Sequence, residues 1–253
     1  MEKLITSDRR NRIAELIISN RSIKTAELAE NFNVSIETIR KDLIFLDQVG
    51  TIKKKRGGGI STLEFFEKPL KDRNIKNYEQ KKHIANESVK FVKSGSVIFL
   101  DSGSTVLCLA KLLYLKKGLT IITNSLEAAN ILVNSSNTVY LSGGEINSIA
   151  MSLEGFGATN FLKEIKVDIA FLGSTGFKGH DGPTSMSFTD ADVKKTIINN
   201  ASLNIVLSDS SKSRAIAFVK YASWKNIDYL ITDKDIEEEY FNLIKETSEI
   251  ILV

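Results

Sequence analysis

A chain of 253 residues, 42% hydrophobic and 26% charged, is long enough for a small domain joined to a larger one and apolar enough to bury a core. Its single cysteine, Cys108, excludes an internal disulfide and points to a reducing cytoplasm, and no stretch nears the roughly 20 apolar residues that span a bilayer. The net charge of +3 is unevenly placed: residues 1–60 hold 12 Lys and Arg against 8 Asp and Glu, leaving 22 against 23 for the rest, so the excess suited to a polyanion lies in the N-terminal quarter.

The first 60 residues read as three helices and a basic hairpin. Ser7 or Asp8 caps a helix through Ile13, Leu16 and Ile17, and Thr25 caps a second, AELAENF, with Leu28, Ala29 and Phe32 inward. After a tight turn at Asn33-Val34, Ser35 caps a third helix that ends at Gly50. Its inner face carries Ile36, Ile39, Leu43 and Leu46, and its outer face Glu37, Lys41, Ile44 and Gln48. TIKKKRGGGIS then supplies four consecutive cations and three glycines. Residues 61–77, with Pro69 and many charges, read as a linker.

A helix, a short turn and a second helix exposing Glu37, Thr38, Arg40 and Lys41 suit insertion into a DNA major groove, with Thr25 and Ser35 at the helix starts. Lys53, Lys54, Lys55 and Arg56 would form a wing that neutralises phosphates without reading sequence. A solvated amphipathic helix beside a lysine-rich loop is the plainer reading of the same residues.

From Tyr78 to Val253 short apolar strands alternate with amphipathic helices: SVIFL, LTIIT, TVYLS, VDIAFLG, LNIVLSD, IDYLIT and IILV. Strands this apolar are buried on both faces, as in a parallel sheet covered by helices, so the fold class is α/β.

The run from Arg9 through Ile13 and Ile17, the segment Ser35-x-x-Thr38-Ile39-Arg40-Lys41-Asp42-Leu43, the wing GTIKKKRGGG and the blocks IFLDSGST, LTIITNS, LSGGE, DIAFLGSTG and LSDSSK occur in order along nearly the whole chain. Together they resemble the DeoR family of bacterial transcriptional regulators. The resemblance implies a winged helix-turn-helix over 1–60 and a C-terminal domain over 78–253 similar in fold to ribose-5-phosphate isomerase. It further implies a homo-oligomeric regulator, a dimer or tetramer and usually a repressor of sugar-catabolic genes, that binds operator DNA and a phosphorylated sugar.

Several strand ends carry polar clusters that suit such a ligand. Asp101, Ser102, Gly103, Ser104 and Thr105 join a strand to a helix N-terminus and can cradle a phosphate, although the GxxxxGK[ST] loop is absent. Thr123-Asn124-Ser125, Ser142-Gly143-Gly144, Gly173-Ser174-Thr175-Gly176 and Asp209-Ser210-Ser211-Lys212 follow other strands, and carboxyl ends of an open α/β sheet line one crevice. Lys194, on a helix capped by Thr189 or Asp190, and Lys212 would pair with ligand oxygens, and Asp101 and Asp209 with hydroxyls. The resemblance adds Arg73 and Lys81 from the linker side and leaves the role of Asp190 open. Two histidines, His83 and His180, and no clustered Cys, His or carboxylate spacing give no expectation of a metal or cofactor.

The competing reading is a sugar-phosphate isomerase, for which Asp192 and Asp209 are candidate bases by residue type alone. A nucleic-acid-binding module with a dimerising tail is a third, and it leaves the polar strand ends without a purpose.

Overall fold

In a computed structural model, residues 6–20, 22–48, 52–61 and 69–253 are described, and the chain falls into two compact units, Met1–Phe66 and Glu67–Val253. Gly50, the expected helix cap, and residues 62–68 of the expected linker lie outside the described residues.

The first unit runs α1 (Thr6–Asn20), β1 (Ser22–Lys24), α2 (Thr25–Phe32), α3 (Ile36–Gln48), β2 (Ile52–Lys55) and β3 (Gly58–Ser61). Ile13, Ile17, Leu28, Ile39, Leu43 and Ile52 form its fully buried core. The helix starts differ from expectation. Ser7 and Asp8 lie inside α1, and Thr25 does not cap α2 but begins it, its N–H donating to Gly57 O at 2.9 Å. That bond places α2 against the hairpin turn. Ile36, expected inward, is 46% exposed in the first turn of α3. The turn between α2 and α3 closes because Asn33 adopts a left-handed conformation, φ 49°, and the Val34 N–H donates to Ala29 O at 3.1 Å.

The hairpin is a three-stranded sheet, β1-β3-β2, because β1 adds to its inner edge. Gly58 makes this fit: a Cβ there would lie 2.2 Å from Ile23 O. Three residues of β1 carry too little pattern to be read as a strand from sequence.

The second unit continues with α4 (Leu70–Ile75), α5 (Tyr78–Ser88), β4 (Val97–Leu100), α6 (Ser104–Leu113), β5 (Thr120–Thr123), α7 (Leu126–Leu132), β6 (Thr138–Leu141), β7 (Glu145–Asn147), β8 (Ser152–Glu154) and α8 (Gly155–Lys163). It ends with β9 (Val167–Gly173), β10 (Thr184–Ser185), α9 (Phe188–Ile198), β11 (Ala201–Leu207), β12 (Val219–Lys220), β13 (Tyr229–Thr232), α10 (Glu238–Lys245) and β14 (Glu249–Leu252). All seven expected strands join one sheet, ordered β14-β13-β11-β9-β4-β5-β6, and every neighbouring pair is parallel.

The period of two along each strand divides the core. Ile98, Leu100, Ile169, Phe171, Ile205 and Leu207 pack under α5, α6 and α7, whereas Phe99, Ala170, Leu172 and Val206 pack under α8, α9 and α10. Chain order runs outward from β4 in one direction through β5 and β6, then resumes on its other side at β9. The topological switch therefore lies between β4 and β9, where ligands of open α/β sheets bind. Helix α4, within the expected linker, packs on this unit through buried Leu70, whose N–H donates to Ile149 O at 3.0 Å. Among the described residues, no helix is long and apolar enough to cross a membrane.

Candidate functional site

In the first unit, Ser35 caps α3 as its sequence position predicts: Thr38 N–H donates to Ser35 Oγ at 3.1 Å, and the two hydroxyls lie 2.9 Å apart. Glu37, Arg40 and Lys41 are exposed on α3, and Lys54, Lys55 and Arg56 on the hairpin; Lys53 pairs through its backbone with Ile60. Arg40 pairs with Glu37 at 3.4 Å, both side chains about 60% exposed. Such a pair contributes only about 0.3–0.5 kcal/mol, so a DNA acceptor can replace it. Thr25 is buried and offers little surface.

Sequence reasoning missed Asp42, which is 1% exposed. Its carboxylate accepts from Arg9 Nε at 2.7 Å and Arg10 Nε at 2.9 Å, tying α1 to the back of α3. The Arg10 guanidinium lies 3.9 Å above the Phe45 ring. The spacing of 33 residues between Arg9 and Asp42 left no local signal.

In the second unit, the switch point is occupied by an ionic network. Lys194 Nζ lies 2.9 Å from Asp101 Oδ1 and 2.5 Å from Asp190 Oδ1, and all three residues are buried. Asp101 Oδ2 accepts the Gly173 N–H at 2.8 Å, joining the ends of β4 and β9. Tyr221 donates its hydroxyl to Gly173 O at 2.8 Å, and Ser185 Oγ donates to Asp190 Oδ2 at 2.5 Å. Burial opposes the Lys194 charge, but the two carboxylates hold its pKa above the usual lysine value. Burial pushes the Asp101 carboxyl up, with Lys194 working against it and Asp190 adding to the push.

The role left open for Asp190 is thereby filled: it lies one turn before Lys194 and shares its ammonium. Helix α9 is capped not by Thr189 or Asp190 but by Ser187, whose side chain accepts from Asp190 N. Thr189 lies inside the helix, and its hydroxyl donates to Glu154 at 2.5 Å. Asp192 faces solvent and pairs with Lys195 at 3.4 Å.

The phosphate-loop candidates lie beside this network. Ser102, Ser104 and Thr105 are buried, and α6 starts after Gly103 with no side-chain cap, so its first-turn N–H groups face the crevice. Gly103 and Gly173 are close enough that a Cβ on the former would sit 3.4 Å from the Cα of the latter.

The next strand end is mostly committed internally. Thr123 Oγ1 donates to Leu100 O at 2.6 Å, and Ser125 Oγ accepts from Ala128 N at 3.2 Å to cap α7. Asn124 differs: it is fully buried, and its Oδ1 has no hydrogen-bond partner. Gly143 and Gly144, at φ 72° and 110°, turn the chain from β6 into β7. Five adjacent strand ends, from Asp209 to Ser142, span roughly 20 Å, so one small ligand at the switch does not reach them all.

On the other flank, Asp209 accepts from Asn77 Nδ2 at 2.7 Å and from the Ser211 hydroxyl. Burial works to raise its carboxyl, yet the Lys212 charge and the bonds from Ser211 and Asn77 bring it below the usual value. Buried Lys81 donates to Arg73 O and, at 2.6 Å, to Lys76 O, closing the C-terminus of α4. Burial lowers its ammonium to about 8, with Asp209 opposing and Lys212 and Arg73 adding to the fall.

Sequence reasoning also missed Glu154, 4% exposed. It accepts from Asn147 Nδ2 at 2.9 Å, Ser152 Oγ at 2.8 Å, Ser187 Oγ at 3.2 Å and Thr189 Oγ1, fixing the β7–β8 hairpin to the start of α9. The open cleft of about 630 Å³ lined by Lys90, Ser96, Asp168 and Leu203 lies at the opposite, amino-terminal ends of the strands, away from these buried charges.

Residues 9–64 match the family model described as a DeoR-like helix-turn-helix domain, and residues 76–234 match that of the DeoR C terminal sensor domain. The chain belongs to the DeoR family. It is 34% identical to the HTH-type transcriptional regulator GolR of Listeria innocua over 94% of this chain and 95% of that protein. It is 30% identical to the glycerol-3-phosphate regulon repressor of Escherichia coli, covering 90% of each. Among solved structures it is similar to ribose 5-phosphate isomerase A of Methanocaldococcus jannaschii, with 25% identity over 54% of each chain and a TM-score of 0.40. This DeoR-family chain is a transcriptional regulator, with a helix-turn-helix unit and a parallel-sheet α/β sensor unit.

Proposed function

We propose that this regulator represses sugar-metabolism genes in the cytoplasm as a homo-oligomer and that a phosphorylated sugar bound between β4 and β9 releases it from operator DNA. The observation that carries the effector reading is the buried Asp101–Lys194–Asp190 network at the switch point, a costly arrangement to retain for packing alone. Lys194 is already shared by two carboxylates, so the phosphate is assigned to the N-terminus of α6, with Ser102 to Thr105, and to Lys212 with Lys81 behind it. Sugar hydroxyls then meet Asp101 and the open acceptor of Asn124. Thermal shifts against inorganic phosphate, glycerol 3-phosphate and a panel of sugar phosphates test this reading. Response to unphosphorylated sugars alone refutes it.

The regulator reading fits these side chains better than an isomerase. A base that moves a proton between carbons needs a pKa raised towards neutrality, whereas Asp209 is held low and Asp192 is exposed. No cofactor enters the reading. Isomerase turnover of any panel member would restore the enzyme.

The position of Lys81 gives the effector a pH dependence. Its ammonium, at about 8 without ligand, is charged at neutral pH and attracts phosphate; above that value it becomes neutral. Between about pH 7, where a phosphate monoester is largely a dianion, and about pH 8 affinity is expected to change little, and above that to weaken. Calorimetric titration across pH checks this, and Lys81→Met should remove the dependence.

For DNA, Arg40 is assigned to base edges and Lys54, Lys55 and Arg56 to phosphates. Arg40→Ala should change the sequences selected from a random duplex pool. Lys54→Ala should weaken binding to all sequences and flatten the logarithmic salt slope by about one unit. Unchanged salt dependence in Lys54→Ala would remove the wing from the interface.

A further inference from the structure

The β7–β8 hairpin, the start of α8, the start of α9 and the entry to β12 are neighbours, and each presents a large apolar side chain to solvent. Ile146 is 62% exposed, Phe156 81%, Phe188 62% and Phe218 56%, with Ile216 at 50% nearby. The Phe188 and Phe218 rings meet edge to face, centroids 5.3 Å apart. At about 200 Å² per ring, the three phenylalanines alone leave roughly 400 Å² of apolar surface in water. That equals the largest patch of an ordinary monomer and is about half of what each partner buries in a stable complex; the isoleucines extend it.

The frame beneath is fixed in advance. Glu154 ties the hairpin to Ser187 and Thr189, so association does not have to order this surface. We propose that this face is where two copies of the chain pair through their sensor units. A two-fold contact sets the same patch against itself, matching apolar area with equal apolar area, and a two-fold assembly supplies the two DNA heads that paired half-sites require. The inference rests on the self-association contained in the function proposed above.

Sedimentation velocity of the full chain over a dilution series, beside the Phe156→Glu/Phe188→Glu variant, tests it. The native chain should sediment as a dimer or larger, and the variant should associate roughly a thousandfold more weakly while keeping its native circular dichroism. A native chain that is monomeric throughout overturns both the self-association and the surface. A variant that associates as tightly as the native chain overturns the surface alone. Should the variant misfold, hydrogen exchange of the native chain decides: amides of 145–156 and 188–191 gain protection with concentration if the proposal holds, and concentration-independent exchange there overturns it.

Discussion

Replacing Lys194 with methionine is expected to destabilise the sensor unit by about 3–5 kcal/mol, because two buried carboxylates then face each other without their shared cation. Asp101 has no exposed side-chain surface, so its carboxylate regains little hydration when the ammonium is removed. Removing one of the charges should recover much of the loss, so Asp190→Asn/Lys194→Met should be more stable than Lys194→Met alone. The pH dependence has a definite sign. The Asp101 carboxyl is already raised by burial, and loss of the opposing lysine raises it further. A carboxyl whose folded pKa exceeds its unfolded value of about 3.9 costs stability at neutral pH, and the cost vanishes as pH falls to that value. The deficit relative to the native chain should therefore be largest near neutrality and narrow on acidification. Urea unfolding across this range provides the measurement, and a deficit that widens in acid would contradict the assignment. Whichever phosphorylated compounds of the panel shift the melting of the native chain should no longer do so once the network is lost.

Asp42→Ala is expected to cost the N-terminal unit about 2–3 kcal/mol, since each hydrogen bond to a charged group contributes about 1.5–3 kcal/mol and both arginines retain some solvent. Arg9 and Arg10 are 13% and 26% exposed, so their stranded charges are partly rehydrated, which keeps the loss below that of a fully buried pair. Helix α3 would lose its tie to α1, and binding to duplex DNA should fall for every sequence, unlike the altered preference expected of Arg40→Ala. The sensor unit should melt as in the native chain. A loss of DNA binding without any change in the stability of residues 6–61 would show that Asp42 acts in some way other than anchoring α3.

Much of the fold was legible because its signals are local. Apolar runs such as VIFL and VDIAFLG become strands wherever helices cover both faces, and all seven did so. Ser35 was identifiable as a cap because the cap bond spans three residues. The exceptions have a common cause. Strand β1 exists because Gly58 admits it, β10 and β12 pair across 34 residues, and α9 begins at Phe188, which makes the extended Ser187 its cap and leaves Thr189 inside the helix.

The candidate site divides in the same way. The positions of Asp101 and Asp209 after strands were readable, whereas the meeting of Lys194 with Asp101, 93 residues away, was not. Tyr221 and Asn77 gave no signal, since each matters only through partners 48 and 132 residues away. Thr123 and Ser125, alike in sequence to ligand-binding hydroxyls, are engaged by Leu100 and Ala128.

The sequence alone determined the positive N-terminal quarter, the helix-turn-helix order, the seven strands and the family, because charge, period and short motifs act over a few residues. Only the tertiary structure decided that Lys194 is shared between two carboxylates, that Asp42 anchors α3, and that Glu154 braces a surface of exposed aromatics. Those interactions depend on distance and burial between chain segments far apart in sequence, and neither quantity is written in the local pattern.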